Sequence, residues 1–377
     1  MKNRIQHSTI LIFFFLLTVS FFGCSKPQEG SFTNYIRESK VKGDLNFLAS
    51  KELQGRETGE LGAKVAGAFL ASQMLGMNLS PLTDGDKAEP FEKYYQHFQI
   101  VGASSEEISL SLRVRKSGKN YRARNGQDVF YFFNSPGDLQ FRGEAVFAGY
   151  AIKAPEFNYD DLSGLDCRDK IVLAFYGEPL EKDTLTFFNG KHRTHYMMPD
   201  WKAEALAKLG AKALIMLPTA ENETGYQRFL QRRTHDKRKK QFILKDEFAV
   251  PVIYLSADFA RKLFGRDWKE NFISEQNRLR TWLSDQGESV FHWEAALPTN
   301  GKWQVKIRVK NPETRECRNV IAVLPGREQT LKNEYILIGS HYDHEGIIEG
   351  KIYRGADDNA SGDVANLNVA RALSHLP

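Results

Sequence analysis

"SHYDHEGIIEGKIYRGADDNASG", Ser340 to Gly362, gathers His341, Asp343, His344, Glu345, Asp357 and Asp358 into one short segment. Such a cluster is either a solvated acidic loop or part of a metal site, and its surroundings decide between the two. Immediately before it, "YILIGSH" (Tyr335 to His341) is an apolar, β-rich run of the kind buried on both faces of an α/β sheet. Ligands of open α/β sheets bind just beyond the carboxyl ends of strands, so His341 and Asp343 are expected where that strand runs out. Residues i and i+2 of an extended chain share a face. His341 can then bind a metal through one ring nitrogen while Asp343 holds the orientation of the ring. Asp357 and Asp358 are expected on the turn before a largely apolar helix, Gly362 to Leu376. A carboxylate there can bridge two metal ions. Taken singly, His-x-Asp is common and Asp-Asp before a helix is an ordinary N-terminal charge pair. The joint position favours a site: strand end, short loop, acidic turn, helix start built from small residues.

Working outward, "NVIAVLPG" (Asn319 to Gly326) reads as another buried strand, and Val305 to Val309 alternates apolar and basic like an edge strand. Between about Ser109 and Phe291 the rhythm differs. Strands are expected at Leu110 to Val114, Ala145 to Ile152, Lys170 to Pro179, Ala213 to Leu217 and Val252 to Leu255. A helix from Trp201 to Leu209 is expected with Asp200 as its N-cap and Gly210 as its stop. Strand, helix, strand at this spacing is a βαβ-like unit with its own small core, and the block reads as a module inserted into another domain. Near the N-terminus two helices flank "LASKELQGRETG" (Leu48 to Gly59), the second ending at Gly76.

Bulk properties set the frame. A chain of 377 residues should hold two domains, and 41% hydrophobic residues with 12% aromatics suit a packed globular protein. The net charge of +5 makes no case for nucleic acid. The densest basic run, Arg232 to Lys240, includes an aspartate and has no interleaved aromatics, so it reads as a solvated face. At the start, Lys2 and Arg4 precede an apolar run, Ile10 to Phe22, too short to span a bilayer, followed by Gly23-Cys24. This resembles a bacterial lipoprotein signal, with the departure that Phe21-Phe22 stand where smaller or aliphatic residues are commoner. The resemblance implies export to the bacterial cell envelope and acylation of Cys24, and several acyl chains on one residue hold a protein on a membrane stably. Cys167 and Cys317 are then expected as two separate buried thiols.

The intact "GSHYDHEG" and "GADDNASG" resemble the co-catalytic zinc aminopeptidases, the family of glutamate carboxypeptidase II and the transferrin receptor. "LASKELQGRETG" looks like that family's opening, "NVIAVLPG" like its strand before the site, and the inserted block like a protease-associated domain. The resemblance implies an α/β fold: a zinc-peptidase mixed sheet flanked by helices and interrupted by a smaller α+β protease-associated domain. It places a signal at 1–24, peptidase sequence at 25–108, the insert at 109–291 and resumed peptidase sequence at 292–377. It implies two zinc ions, with His341 a terminal ligand, Asp358 the bridge, Asp343 orienting His341, and Asp357 either structural or supporting a ligand from behind. The Asp358–Asn359 peptide is often cis in the family. No role follows for His344 or Glu345.

The implied activity is removal of N-terminal amino acids from peptides by a zinc-activated water, with a carboxypeptidase or a non-catalytic, receptor-like binding lipoprotein as alternatives. The family also needs a later glutamate pair, whose first member is the general base, and further ligands. The only Glu-Glu here, Glu106-Glu107, lies far upstream. The chain is therefore expected to be truncated at its C-terminus, with weak zinc binding and without the base's contribution, typically ~10²–10⁴-fold.

Overall fold

The computed structural model describes residues 33–375 apart from 82–88, 136, 180–187, 189–191, 220–221, 235–239, 246–249, 266, 285–290, 292 and 294–299. The expected leader, Cys24 and part of the basic run lie outside the described residues. The chain forms two compact units, one from residues 1–97 with 317–377 and one from 98–316. The first unit opens with α1 (Glu38–Leu48) and α2 (Leu61–Gly76), joined by the turn that contains Leu53 to Gly59. The chain passes into the second unit within β1 (Tyr95–Ala103).

The second unit is layered. Its antiparallel sheet holds β2 (Ile108–Lys116), β3 (Lys119–Arg122), β5 (Leu139–Gly143) and β11 (Lys302–Val309), in the order β3-β2-β11-β5. A second sheet contains β4 (Val129–Tyr131), β6 (Ala145–Phe147), β7 (Ile171–Phe175), β8 (Ala213–Leu217) and β10 (Val252–Leu255), in the order β4-β10-β8-β7-β6. All its pairings are parallel except that of the edge strand β4. β9 (Gln241–Leu244) pairs antiparallel with β1.

The sequence explains the layering. "IVLAF" and "ALIML" are buried at every position, as strands covered on both faces must be. Val172, Ala174, Leu214 and Met216 face α3 (Pro199–Lys208) and α4 (Glu223–Thr234), through Ala203, Leu206, Tyr226 and Leu230. The alternate residues, among them Ile171, Leu173 and Ile215, face the antiparallel sheet through Leu112, Val305 and Ile307. That same core takes in α5 (Ala257–Phe264) and α6 (Trp268–Ser284) through Phe259 and Trp268. Each side chain's layer follows from the period of two along the strand.

Two expectations shift at the residue level. α3 begins at Pro199, where a missing N–H costs nothing because the first helical N–H groups have no partner in the helix. Asp200 therefore sits in the first turn and Met198 takes the N-cap position. The strand expected to reach Ile152 ends at Phe147, because the chain there wraps round a carboxylate. Asp161 Oδ2 accepts from the backbone N–H groups of Tyr150 and Ile152, and its Oδ1 accepts from Trp293 Nε1. Gly149 and Ala151 take positive φ to make the wrap, and a Cβ on Gly149 would lie 2.0 Å from the indole nitrogen.

The chain re-enters the first unit within β12 (Glu313–Val320) and closes with α7 (Ser361–Ser374). Leu48, Leu53, Ala66, Leu70, Ala360, Val364 and Leu367 form its core. The buried Asp44 of α1 is paired by Lys40 at 2.6 Å and approached by Arg371 of α7 at 3.9 Å. The expected flanked mixed sheet is present here only in pieces. Ala322–Val323 pairs with Ser80–Pro81, and Gly346–Ile348 with Lys351–Tyr353. Tyr335 to Ile338 pair with no strand among the described residues, and Ile336 is 94% exposed. Apolar, β-prone sequence supplies the tendency to extend, but a strand exists only where another strand takes its hydrogen bonds. Cys167 and Cys317 are free and buried.

All five tryptophans lie between Trp201 and Trp303, so intrinsic fluorescence reads the second unit alone. Burial pushes the Asp161 carboxyl up to about 6, against the hydrogen bonds it accepts. The unfolded carboxyl releases its proton near ~3.9, so this group's contribution is complete below that pH. It is lost as pH rises through 6, by up to about 3 kcal/mol. Urea midpoints followed by tryptophan fluorescence should therefore fall between pH 4 and 7, and Asp161→Asn should flatten much of that fall. Identical pH profiles for parent and variant would sink this assignment.

Candidate metal centre

The segment "LQGRETG" (Leu53 to Gly59) builds the floor of the site. Arg56 is wholly buried, and its guanidinium donates to four backbone carbonyls. Nε reaches Tyr342 O at 2.7 Å, Nη2 reaches Gly355 O at 2.8 Å, and Nη1 reaches Arg354 O at 2.7 Å and also Leu48 O. One planar fork thus ties the stretch carrying His341 to the turn carrying Asp358. Burial pulls the guanidinium below its ordinary value, and the carboxylates of Asp363, Asp343 and Asp358 pull it back up. Gly55 has φ of +75°, and a Cβ there would meet the carbonyl oxygens of Gly346 and Tyr353 at 2.5 Å. Backbone bonds from His344 N to Arg56 O and from Gly346 N to Gly55 O close the junction.

His341 and Asp358 meet on this floor. His341 Nε2 lies 3.1 Å from Asp358 Oδ1, while Nδ1 lies 3.0 Å from the backbone oxygen of Asp343. A carbonyl only accepts, so Nδ1 carries a proton, which leaves Nε2 to face Asp358. Two acceptors facing each other at 3.1 Å require a proton or a metal cation between them. Zinc ligands at ~2.0–2.2 Å and a tetrahedral angle stand about 3.4 Å apart, so the pair fits two ligands of one ion. Among the described residues no third histidine, cysteine, aspartate or glutamate joins them.

The other expected residues take the following places. Asp343 meets the His341 ring through its carbonyl, because its carboxylate is held by the hydroxyl of Thr58 and stands 3.7 Å from Nδ1. Asp357 is exposed, and its carbonyl accepts from Ser361 Oγ at 2.9 Å. The Asp358–Asn359 peptide is cis. The His344 ring packs on Gly355, where a Cβ would meet it at 2.6 Å, and Glu345 is exposed.

Arg56, Thr58 and Asp363 carry roles that the motif reading did not assign. Asp363 is 3% exposed and accepts from Ser340 Oγ at 2.5 Å, and that hydroxyl accepts from Asn366 Nδ2 at 2.9 Å. Burial pushes the Asp363 carboxyl up to about 6, and Oδ2 has no hydrogen-bond partner among the described residues. The available signal was the position of Asp363, at the first turn of α7 beside the acidic motif.

Residues 319–377, which contain His341, Asp343, Asp358 and Asp363, match the model of peptidase family M28. No curated protein matches the chain. Among solved structures, an aminopeptidase from Aneurinibacillus sp. strain AM-1 is similar at 19% identity and TM-score 0.39, over 92% of this chain and 61% of that one. A zinc aminopeptidase from Bacillus subtilis is similar at 15% identity and TM-score 0.28, over 90% and 58%. The chain spans 58–61% of the length of those two proteins.

Removing the Arg56 fork leaves four carbonyls short of a donor, at on the order of 1 kcal/mol or more each where they stay buried. Arg56→Ala should speed amide exchange at residues 342–355 while the tryptophan-detected transition of the second unit stays in place. Arg56→Lys should not restore protection, because a point ammonium lacks the planar fork. Parent-like exchange in either variant would rule out the clamp.

Proposed function

We propose that this chain carries part of an exported, lipid-anchored metallopeptidase that removes N-terminal amino acids from peptides. The observation behind this reading is the pair His341 Nε2 and Asp358 Oδ1, facing at 3.1 Å inside M28 sequence. His341 and Asp358 are the residues that would hold zinc, His341 through Nε2 and Asp358 through its carboxylate. The carbonyl of Asp343 fixes the tautomer that aims Nε2 at Asp358. Thr58 holds the Asp343 carboxylate away from the ring nitrogen. Arg56 keeps the two ligand-bearing stretches in register. Bound zinc supplies a lowered pKa for water and a polarised scissile carbonyl. A di-zinc carboxypeptidase would use the same residues, and a receptor-like binding lipoprotein would not need Nε2 and Oδ1 to converge.

A catalytic zinc takes three protein ligands, and this pair provides two. Residues 25–377 should accordingly bind zinc weakly, lose that binding on His341→Ala or Asp358→Ala, and hydrolyse aminoacyl anilides at no appreciable rate. Two tightly bound zinc ions per chain, measured by elemental analysis after dialysis, would overturn the two-ligand reading.

The anchor is tested separately. Expressed with its leader in a bacterium, the chain should incorporate labelled palmitate and sediment with membranes, and Cys24→Ser should do neither. Label retained in Cys24→Ser would exclude Cys24 as the acylated residue.

A further inference from the structure

The outer face of the antiparallel sheet in the second unit carries an array of cations. Along β2 and β11 the inward residues are apolar and buried, as in Leu110, Leu112, Val114, Val305 and Ile307, and the outward residues alternate with them. The register puts Arg122, Arg113, Gln304 and Arg142 in one row across all four strands. The next row is Asn120, Arg115 and Lys302, and Lys306 and Arg308 follow opposite Ser111 and Ser109. Seven of the twelve outward positions are therefore Arg or Lys, and none is acidic. Glu107, Asp138 and Glu144 occur only at strand ends, and Asp138 is occupied by the Val309 N–H.

Composition does not explain the array, since 52 basic residues stand against 47 acidic ones in the chain. Elsewhere in the same unit several surface cations are paired, as Lys153 with Asp160, Lys208 with Glu204 and Lys212 with Asp169. On this face like charges sit directly opposite each other, Arg113 across from Arg122 and Arg115 across from Lys302. Such cross-strand pairs destabilise a sheet, so a face that keeps them is matched to charge from outside the fold.

We infer that this face docks on an anionic membrane surface, with lipid phosphates as the groups recognised. Four strands at ~4.8 Å spacing and rows ~7 Å apart make a grid of roughly 15 by 20 Å, on the scale of several lipid headgroups. Arginine forks take phosphate oxygens in pairs. The outward positions include no aromatic on which bases could stack, which disfavours single-stranded nucleic acid. The inference is independent of the anchor, because a chain without Cys24 must show it.

Residues 25–377, which carry no lipid, should co-sediment with phosphatidylcholine vesicles containing phosphatidylglycerol and not with phosphatidylcholine alone, and high salt should release them. Each cation near such a surface contributes about fivefold in partitioning. Arg113→Gln, Arg115→Gln and Lys302→Gln together should lower binding about 100-fold, and Lys306→Gln with Arg308→Gln about 25-fold. Lys153→Gln, Lys208→Gln and Lys212→Gln, the same charge change as the first set, should leave binding unchanged. Tryptophan-detected unfolding of both test sets should match or exceed the parent. No preference for anionic vesicles, equal loss in the control, or tighter binding to duplex DNA at equal phosphate concentration would each overturn the inference.

Discussion

The arrangement around His341 and Asp358 depends on one buried cation. Arg56 has no carboxylate as its hydrogen-bond partner; its fork is spent on the carbonyls of Leu48, Tyr342, Arg354 and Gly355. A charge removed from water is tolerated when its hydrogen bonds are satisfied, and four carbonyl dipoles meet that need here. In exchange, stretches of chain nearly 300 residues apart in sequence are fixed to one planar group. The stretch before His341 has no ladder on either side among the described residues, and Tyr342 is held there by this fork, by its hydroxyl donating to Arg318 O and by packing on the first unit's core.

Much of this was legible in the sequence. "IVLAF" and "ALIML" announce strands buried on both faces because nothing in them could face water. "GADDNASG" places a carboxylate at a helix start because small residues and glycine let the turn close. The rest was not legible, for a common reason: it runs through backbone carbonyls and tertiary contacts that leave no periodic trace. Arg56 and Thr58 sit in a glycine-rich turn that looks like linker until its partners are known. Asp161 ends a strand that its own alternation would have continued. Tyr335 to Ile338 show the converse, a strand-forming composition with no neighbour to complete it.

The second unit separates two uses of polar groups. Inside it, Asp161 and Lys202 are buried with backbone partners, Tyr150 N for the first and the oxygens of Phe175 and Gly177 for the second. These groups fix where chain reversals occur. On the sheet's outer surface the charges are left to solvent and to one another. Layering and period-two alternation allow both to coexist, since the same strand that sends Leu112 into the core sends Arg113 out of it.

The run Tyr335 to Ile338 has a consequence for handling the molecule. Exposed apolar residues that pair with no strand among the described residues are a template for strand addition from another chain. Low charge within the run and the absence of proline remove the usual gatekeepers against stacking. Self-association should therefore begin at this edge and scale with protein concentration. A lysine at Ile336, whose side chain already faces solvent, would delay it without disturbing either core.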